Sequence, residues 1–129
     1  TLEGSMAGRR VIAAAVLLLA AWPAGASDGR TTVYGAGQDS CADALAAHAT
    51  GREAPMEIAL RKIDEVNWVA GFFTGAEAAY GRPIGIVGGT SSGDLMAAVM
   101  AQCRESPHDN LFQASARTVL KILKASDGQ

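Results

Sequence analysis

The sequence predicts a small all-α protein of four helices that is stapled by one disulfide bond. Three observations predict this class: apolar residues recur at helical spacing, residues typical of helix caps precede the periodic segments, and two cysteines stand in a chain that begins like an exported protein. We expect between three and five helices, because the longest periodic segment, 56–80, reads either as one helix or as two helices with a bend.

The N-terminal part has the three regions of a secretory signal peptide. Arg9 and Arg10 give a basic start, an uncharged run of 12 residues follows over 11–22, and Ala-Gly-Ala at 24–26 is a small-residue cleavage pattern. A membrane-spanning helix needs roughly 20 apolar residues, so this run is short for an anchor. We therefore predict export to the periplasm or the medium, with no membrane contact after cleavage.

The predicted organisation is a single domain after processing, since about 100 residues is a common domain size. In chain order we predict an artificial or upstream extension, the signal peptide, a flexible lead-in, the helical domain and a tail: 1–5, 6–26, 27–38, 39–125 and 126–129. After cleavage, nine Lys and Arg stand against twelve Asp and Glu without any basic run. Nucleic-acid-binding proteins carry a clustered basic face, so we predict no nucleic-acid partner.

The first two helices are delimited by cap and proline residues. Asp39 or Ser40 can cap a first helix that runs to about Ala49 and carries Cys41 in its first turn. Pro55 can then begin the second helix as a first-turn residue.

The stretch "NWVAGFFTGA", residues 67–76, could be a membrane segment, a strand or a helix. Glu65 and Glu77 flank it only 12 positions apart, which excludes a membrane span. Good helix formers on both sides and an unbroken 3.6-residue period favour a helix.

Two glycines inside this predicted helix require an explanation, because each destabilises a helix interior by roughly 1 kcal/mol relative to alanine. Gly71, Gly75 and Ala79 form a stripe of small residues at intervals of four. We predict that another helix crosses closely there. Trp68 and Phe72, on the neighbouring face, are expected to anchor the core.

A glycine-rich segment, 81–93, follows and is expected to be a connection. It lacks the lysine and the preceding strand of a phosphate-binding P-loop.

Ser91 or Ser92, together with Asp94, is expected to open the third helix. Asp109 or Asn110 is expected to open the fourth.

The two cysteines, Cys41 and Cys103, are 62 positions apart. In an oxidising compartment two such residues usually pair, and the chain-entropy model gives about 4 kcal/mol for closing a loop of this size. The alternative is two buried free thiols.

His48 and His108 lack metal-ligand spacing, so we predict neither a metal nor another cofactor.

The sequence contains no nucleophile motif, and we predict that the protein is not an enzyme. His48 is expected to cap the end of the first helix, and His108 is expected to lie in a loop. Asp64 and Glu65 are interpreted as part of an exposed charged face. Glu77 lies on an otherwise small and apolar part of its helix, where it is either half-buried or an exposed end-of-helix residue.

Several residues together resemble a family of small exported bacterial proteins. They are Cys41 in a first helix, "WVAGFFTG" from Trp68 to Gly75, and "CRESP" from Cys103 to Pro107, followed by a final helix with "LFQASARTVL". The order is similar to that of HdeA-like proteins and of the related Rap/Tai-type immunity proteins. The resemblance covers about residues 40–124, and Met100 to Gln102 stand where the family often has an aromatic residue before the cysteine.

The resemblance implies an all-helical, disulfide-bonded periplasmic domain, often a homodimer. It implies two roles: HdeA-like proteins are chaperones against acid aggregation, whereas Rap/Tai proteins neutralise a secreted toxin. We therefore expect a protein client or a toxin as partner. The expected interaction surface lies either around Trp68 and Glu77 or on the 81–93 loop. Further residues with a structural or interaction role are Gly71, Phe72, Gly75 and Pro107, and a structural periplasmic role of the protein is a further alternative.

Overall fold

The computed structural model describes residues 32–84 and 91–128, so the predicted extension and signal peptide lie outside the described residues. The described elements are a 3-10 helix and four α-helices: Gly35–Gln38, α1 (Cys41–Ala49), α2 (Met56–Tyr80), α3 (Ser92–Glu105) and α4 (Leu111–Asp127). The predicted all-α class with four helices is confirmed.

Local capping chemistry determines where the helices begin and end. The Ser40 hydroxyl accepts a hydrogen bond at the start of α1, while Ser91 and Asn110 each form a reciprocal capping box with the third residue of their helix. Pro55 immediately precedes α2 rather than lying in its first turn. Gly81 ends α2 with φ of 66°, a left-handed conformation that glycine adopts without a Cβ clash.

The segment 56–80 is one continuous helix of 25 residues, and its buried face supplies the centre of the domain. Val69 and Phe73 are buried there against the other three helices. The remaining core residues are mostly small or aliphatic: Cys41, Ala44, Ile84, Met96, Val99, Met100, Cys103, Leu111, Ala114, Val119 and Leu123. Phe73 is the one aromatic ring in this buried cluster, so the core is narrow.

The predicted disulfide bond between Cys41 and Cys103 is present, with the two Cα atoms 5.1 Å apart and both residues fully buried. It joins the first residue of α1 to the end of α3. The Cys41 amide also donates to the Asp109 carbonyl at 2.8 Å, and the Leu111 amide donates to the Asp39 carbonyl at 2.9 Å. The start of α1 is therefore fastened to α3 and to the α3–α4 connection.

The prediction that a helix crosses the small-residue stripe is wrong for the described part of the chain. Gly71, Gly75 and Ala79 are exposed, and a Cβ built at either glycine meets no atom within 4 Å. Small residues allow close helix packing, but they are also compatible with a solvent-facing surface.

Trp68 and Phe72 lie at the edge of the core rather than at its centre, which corrects their predicted anchoring role. Both are half-buried, and their rings stack with centroids 5.4 Å apart. The Trp68 Nε1 donates to the Tyr34 carbonyl at 3.0 Å. Val69 and Phe73, which directly follow Trp68 and Phe72 in the sequence, lie at the centre of the core instead.

The packed domain extends beyond its predicted limits at both ends. The predicted flexible lead-in, 27–38, ends in the Gly35–Gln38 3-10 helix, which packs on α2. A Cβ at Gly37 would overlap the Trp68 indole ring and Val33. At the other end, α4 continues to Asp127 instead of stopping at residue 125.

Two glycine substitutions should have opposite effects on the free energy of unfolding, measured by urea denaturation. Gly71→Ala should stabilise the protein by up to about 1 kcal/mol, because it improves helix propensity where the side chain meets no neighbour. Gly37→Ala should destabilise it by about 1–3 kcal/mol, because the site is already filled by Trp68. A destabilising Gly71→Ala substitution would show that a partner packs on that face.

Reduction of the disulfide bond should lower the free energy of unfolding by about 4 kcal/mol, because the unfolded chain regains the freedom that the cross-link removes. Denaturation of the oxidised protein with and without a reductant measures the difference. The Cys41→Ala/Cys103→Ala variant is the control, since its stability should not respond to the reductant. An unchanged midpoint for the reduced wild-type protein would contradict the expectation.

Candidate functional site: a buried carboxyl–histidine cluster

Glu65 is fully buried, although we had placed it with Asp64 on an exposed charged face. Only Asp64 is exposed. Glu65 lies one helical turn before Val69 and two turns before Phe73, so it continues the buried face of α2. This spacing of four and eight positions is visible in the sequence and indicates that Glu65 is buried. We had assigned Glu65 to the exposed face because charged residues surround it in the sequence.

His48, in the last turn of α1, contacts the Glu65 side chain. Its Nε2 lies 2.7 Å from Glu65 Oε2, so the imidazole bridges two helices rather than acting as the predicted helix cap. The other carboxyl oxygen, Glu65 Oε1, is buried and has no hydrogen-bond donor among the described residues. A buried carboxylate with an unpaired oxygen is energetically unfavourable, which favours the protonated form of Glu65.

Charged groups from two adjoining segments lie near this pair. Asp39, between the 3-10 helix and α1, acts on Glu65 through its negative charge. The Arg61 Nε lies 4.0 Å from Asp39 Oδ2, and the Lys62 Nζ donates to the Thr50 carbonyl at 3.0 Å. We call Asp39, His48, Arg61 and Glu65 the junction cluster.

Burial shifts both members of the pair toward their neutral forms. It raises the pKa of Glu65 from 4.5 to about 7, with a further increase from the neighbouring Asp39 carboxyl and an opposing effect from Arg61. It lowers the pKa of His48 below 6.5, and the positive charge of Lys62 lowers it further. In the folded protein, one proton is therefore held on the pair and a second is resisted.

These shifts determine how the pair changes stability with pH. The raised pKa of Glu65 contributes stability that is complete below 4.5 and is lost as the pH rises toward 7. The lowered pKa of His48 contributes stability that is present above 6.5 and is lost as the pH falls. The two effects have opposite signs in acid, since Glu65 adds stability as the pH falls and His48 removes it.

Between pH 4.5 and about 7 the Glu65 carboxyl binds its proton in the folded state but not in the unfolded chain, so its contribution to the free energy of unfolding increases as the pH falls through this range. Each proton of difference changes the free energy of unfolding by about 1.4 kcal/mol per pH unit. Glu65 therefore stabilises the fold in mild acid relative to neutral pH, and His48 opposes this effect below pH 6.5.

An open cleft of about 680 Å³ adjoins the junction cluster on the side of the 3-10 helix. It is lined by residues of mixed polarity: Gly35, Ala36, Asp39, Arg61, Asp64, Asn67 and Trp68. His48 also borders two smaller concavities of about 310 and 350 Å³. Within residues 32–84 and 91–128, no group of three or more His, Cys, Asp or Glu side chains is arranged to hold a metal ion.

The other residues that we had proposed for interaction are not gathered into one site. Glu77 is half-buried, and its Oε1 accepts a hydrogen bond from the Ile84 amide at 3.0 Å, which holds Ile84 in the core. Pro107 is exposed in the α3–α4 turn. Cys41 and Cys103 form the covalent link at the centre of the domain.

A long uncharged strip runs along the exposed face of α2. Met56, Leu60 and Ile63 are 72, 53 and 55% exposed, and Asn67 and Gly71 continue the same face at helical spacing. We call these five residues the α2 strip. Because single exposed apolar residues are ordinary but continuous uncharged patches mark binding surfaces, the strip is the second candidate site.

Comparison with known proteins gives no match to the chain among family models, curated proteins or solved structures. In the described part of the chain, no helix is both long enough and apolar enough to span a bilayer. Fold and site together define a class: a small all-α domain with one internal disulfide, a buried carboxyl in contact with a partly exposed histidine, and an uncharged helical face.

The Glu65 carboxyl carbon should titrate near pH 7 in the folded protein when followed by NMR, because burial favours the neutral acid. In urea-unfolded protein, the same carbon should titrate near 4.5, which serves as the internal control. His48 should titrate below 6.5 in the folded state. A folded-state titration of Glu65 in the ordinary glutamate range would contradict the burial argument.

Proposed function

We propose that this protein is a non-enzymatic periplasmic or secreted binding protein, an acid-stress holdase of the HdeA-like type. The observation that carries the proposal is the contact between the buried Glu65 carboxyl and the partly exposed His48 imidazole, whose side chains lie 2.7 Å apart. Because both groups titrate with shifted pKa values, the packing of α1 on α2 depends on pH. A chaperone that acts against acid aggregation needs a fold that responds to pH.

The α2 strip supports the proposal because unfolded clients expose apolar segments that bind to uncharged, apolar surfaces. Met56, Leu60 and Ile63 provide side chains for such contacts without unfolding of the domain. The strip also carries no charge that would select for one particular client.

The disulfide bond supports a protein that opens and closes repeatedly. Cys41 and Cys103 keep α1 attached to α3 when noncovalent contacts are lost, and the cross-link limits the expansion of the opened chain. The narrow core, with Phe73 as its one buried ring, lowers the barrier to opening.

A Rap/Tai-type immunity role is the second candidate, and the mixed-charge cleft beside the 3-10 helix favours it. Arg61, Asp64 and Trp68 line this cleft, and such a combination of charge and aromatic surface is typical of interfaces with one specific partner. An immunity protein would bind one partner through this cleft, whereas a holdase would bind clients of unrelated sequence through the α2 strip.

The proposal is tested with the oxidised protein and an aggregation-prone client, followed by light scattering from pH 7 to pH 2. The holdase should suppress scattering below about pH 4, where ordinary carboxylates titrate, and should bind clients of unrelated sequence. If the fold persists at pH 2 and the client aggregates as it does alone, the holdase function is excluded and the single-partner alternative remains.

The Leu60→Lys substitution should weaken client binding by about 1 kcal/mol, roughly fivefold in Kd, because it places a permanent charge on the α2 strip. Leu120→Lys on α4 is the matched control, since Leu120 is 58% exposed and lies outside the strip. Lysine is chosen because it remains charged at the pH of the assay. Equal losses for both variants would show that the strip is not the binding surface.

A further inference from the structure

The N-terminal half of α2 presents three aliphatic side chains to solvent on one face. Met56, Leu60 and Ile63 are more than half exposed and follow each other at intervals of four and three positions. We call them the apolar row. Exposed apolar residues that stand singly are ordinary, whereas a contiguous row of them offers a partner apolar area to bury.

A hollow of about 310 Å³ adjoins one side of the apolar row. Its apolar walls come from Ile63 and Val66, and the complete lining is His48, Lys62, Ile63, Val66 and Asn67. Binding interfaces commonly place a large anchoring side chain of one partner in such a hollow of the other. A ligand that lies along the apolar row can therefore place one large apolar side chain there.

Two carboxylates border the opposite side of the apolar row. Glu57 directly follows Met56 and Asp64 directly follows Ile63, and both are exposed. Neither forms an ion pair within residues 32–84 and 91–128. We call these two residues the acidic flank. They stand seven positions apart, which is about two turns or about 10 Å along the helix.

The cations of the same half of α2 are directed away from the acidic flank. The Arg61 Nε lies 4.0 Å from Asp39 Oδ2, and the Lys62 Nζ donates to the Thr50 carbonyl at 3.0 Å. The acidic flank therefore keeps its negative charge uncompensated beside an apolar surface. The net charge of the chain, −2, has the same sign and favours the approach of positively charged ligands.

We propose that the N-terminal half of α2 binds a cationic amphipathic helix of a partner protein or peptide. The apolar side chains of the ligand lie on the apolar row, and one of them enters the hollow. Its Lys or Arg side chains lie beside the acidic flank. Cations seven positions apart on the ligand match Glu57 and Asp64, because both helices rise by the same distance per residue.

Charge complementarity disfavours the other occupants of this surface. An anionic helix would place like charges against the acidic flank. A second copy of this chain would bring a further acidic flank, while its Arg61 and Lys62 are already directed to Asp39 and Thr50. A cationic ligand satisfies both the apolar row and the charge beside it.

The inference deepens the proposed function and rests on the α2 strip being a binding surface. The strip itself is uncharged, so it sets no preference for charge among clients. The acidic flank beside it adds one, namely a preference for client segments that are both apolar and basic. This preference is measured at neutral pH and without client aggregation.

Binding of three labelled peptides to the oxidised protein, followed by fluorescence anisotropy at neutral pH, tests the inference. Each peptide has about five helical turns, or about 18 residues. The first has a leucine row flanked by lysines seven positions apart, the second has glutamates in place of the lysines, and the third has the composition of the first in an order that breaks the row.

The first peptide should bind about tenfold more tightly than the other two, because it alone matches both the apolar row and the acidic flank. Raising the ionic strength from about 0.01 M to about 1 M shortens the Debye length from about 30 Å to about 3 Å, and it should remove most of the preference over the second peptide. Equal affinity for the first and second peptides, or for the first and third, would overturn the proposal.

Reversal of the acidic flank should reverse the preference. In Glu57→Lys/Asp64→Lys, the lysine peptide should bind about tenfold more weakly than to the wild-type protein, and the glutamate peptide should bind more tightly. Glu105→Lys/Asp127→Lys is the matched control, since it makes the same change of net charge at side chains outside α2 that are 64 and 68% exposed. An unchanged preference in the first variant, or an equal change in the control, would overturn the proposal.

Circular dichroism at neutral pH shows whether each variant is folded. The milder Glu57→Gln/Asp64→Asn variant removes the charge of the acidic flank without reversing it, so it should bind the lysine and glutamate peptides equally. This variant decides the question if the charge-reversed protein does not fold. A persistent preference for the lysine peptide in it would contradict the proposed role of the acidic flank.

Sedimentation of the protein alone distinguishes a ligand from a second copy. If the wild-type protein self-associates, Leu60→Lys dissociates it and no peptide binds, then a second copy covers the apolar row and the proposal is wrong. Charge-dependent peptide binding without client protection in the acid scattering assay would overturn only the holdase function. Client protection without any charge preference would overturn this inference and leave the holdase function in place.

Discussion

The packing of a nine-residue helix against the rest of the domain depends on the covalent link between Cys41 and Cys103. An isolated helix of the length of α1 is not stable in water, and α1 buries alanines rather than large side chains. The disulfide bond therefore fixes the position of α1, and the backbone hydrogen bonds around Asp39 and Asp109 fix its orientation. Once α1 is held in this way, its last turn brings His48 to Glu65.

The junction cluster also places polar side chains at the contact between α1 and α2, where apolar side chains would be more stable. Replacement of a buried polar pair by well-packed apolar residues is often neutral or stabilising in proteins. The Glu65–His48 pair thus gives the α1–α2 contact a dependence on proton concentration that aliphatic side chains cannot provide. A narrow core around Phe73 makes the domain sensitive to changes of this size.

The features that could be predicted from the sequence are those encoded by neighbouring residues. The caps at Ser40, Ser91 and Asn110 depend on side chains three positions away, and they were identified within one residue. The pairing of Cys41 with Cys103 followed from their number and the expected compartment. The contact of His48 with Glu65 spans 17 positions and depends on how α1 packs on α2, so no local pattern contains it. Gly71 and Gly75 misled the prediction because a small residue is compatible with both close packing and open surface.

The exposed glycine in the α2 strip leaves the peptide backbone of a long helix uncovered, and the neighbouring Asn67 offers only a neutral amide. A partner that lies along this face meets aliphatic groups at one end and bare main chain at the other. Neither end distinguishes one side-chain sequence from another, so contacts along this face depend on shape and on access to the main chain rather than on the identity of the facing side chains.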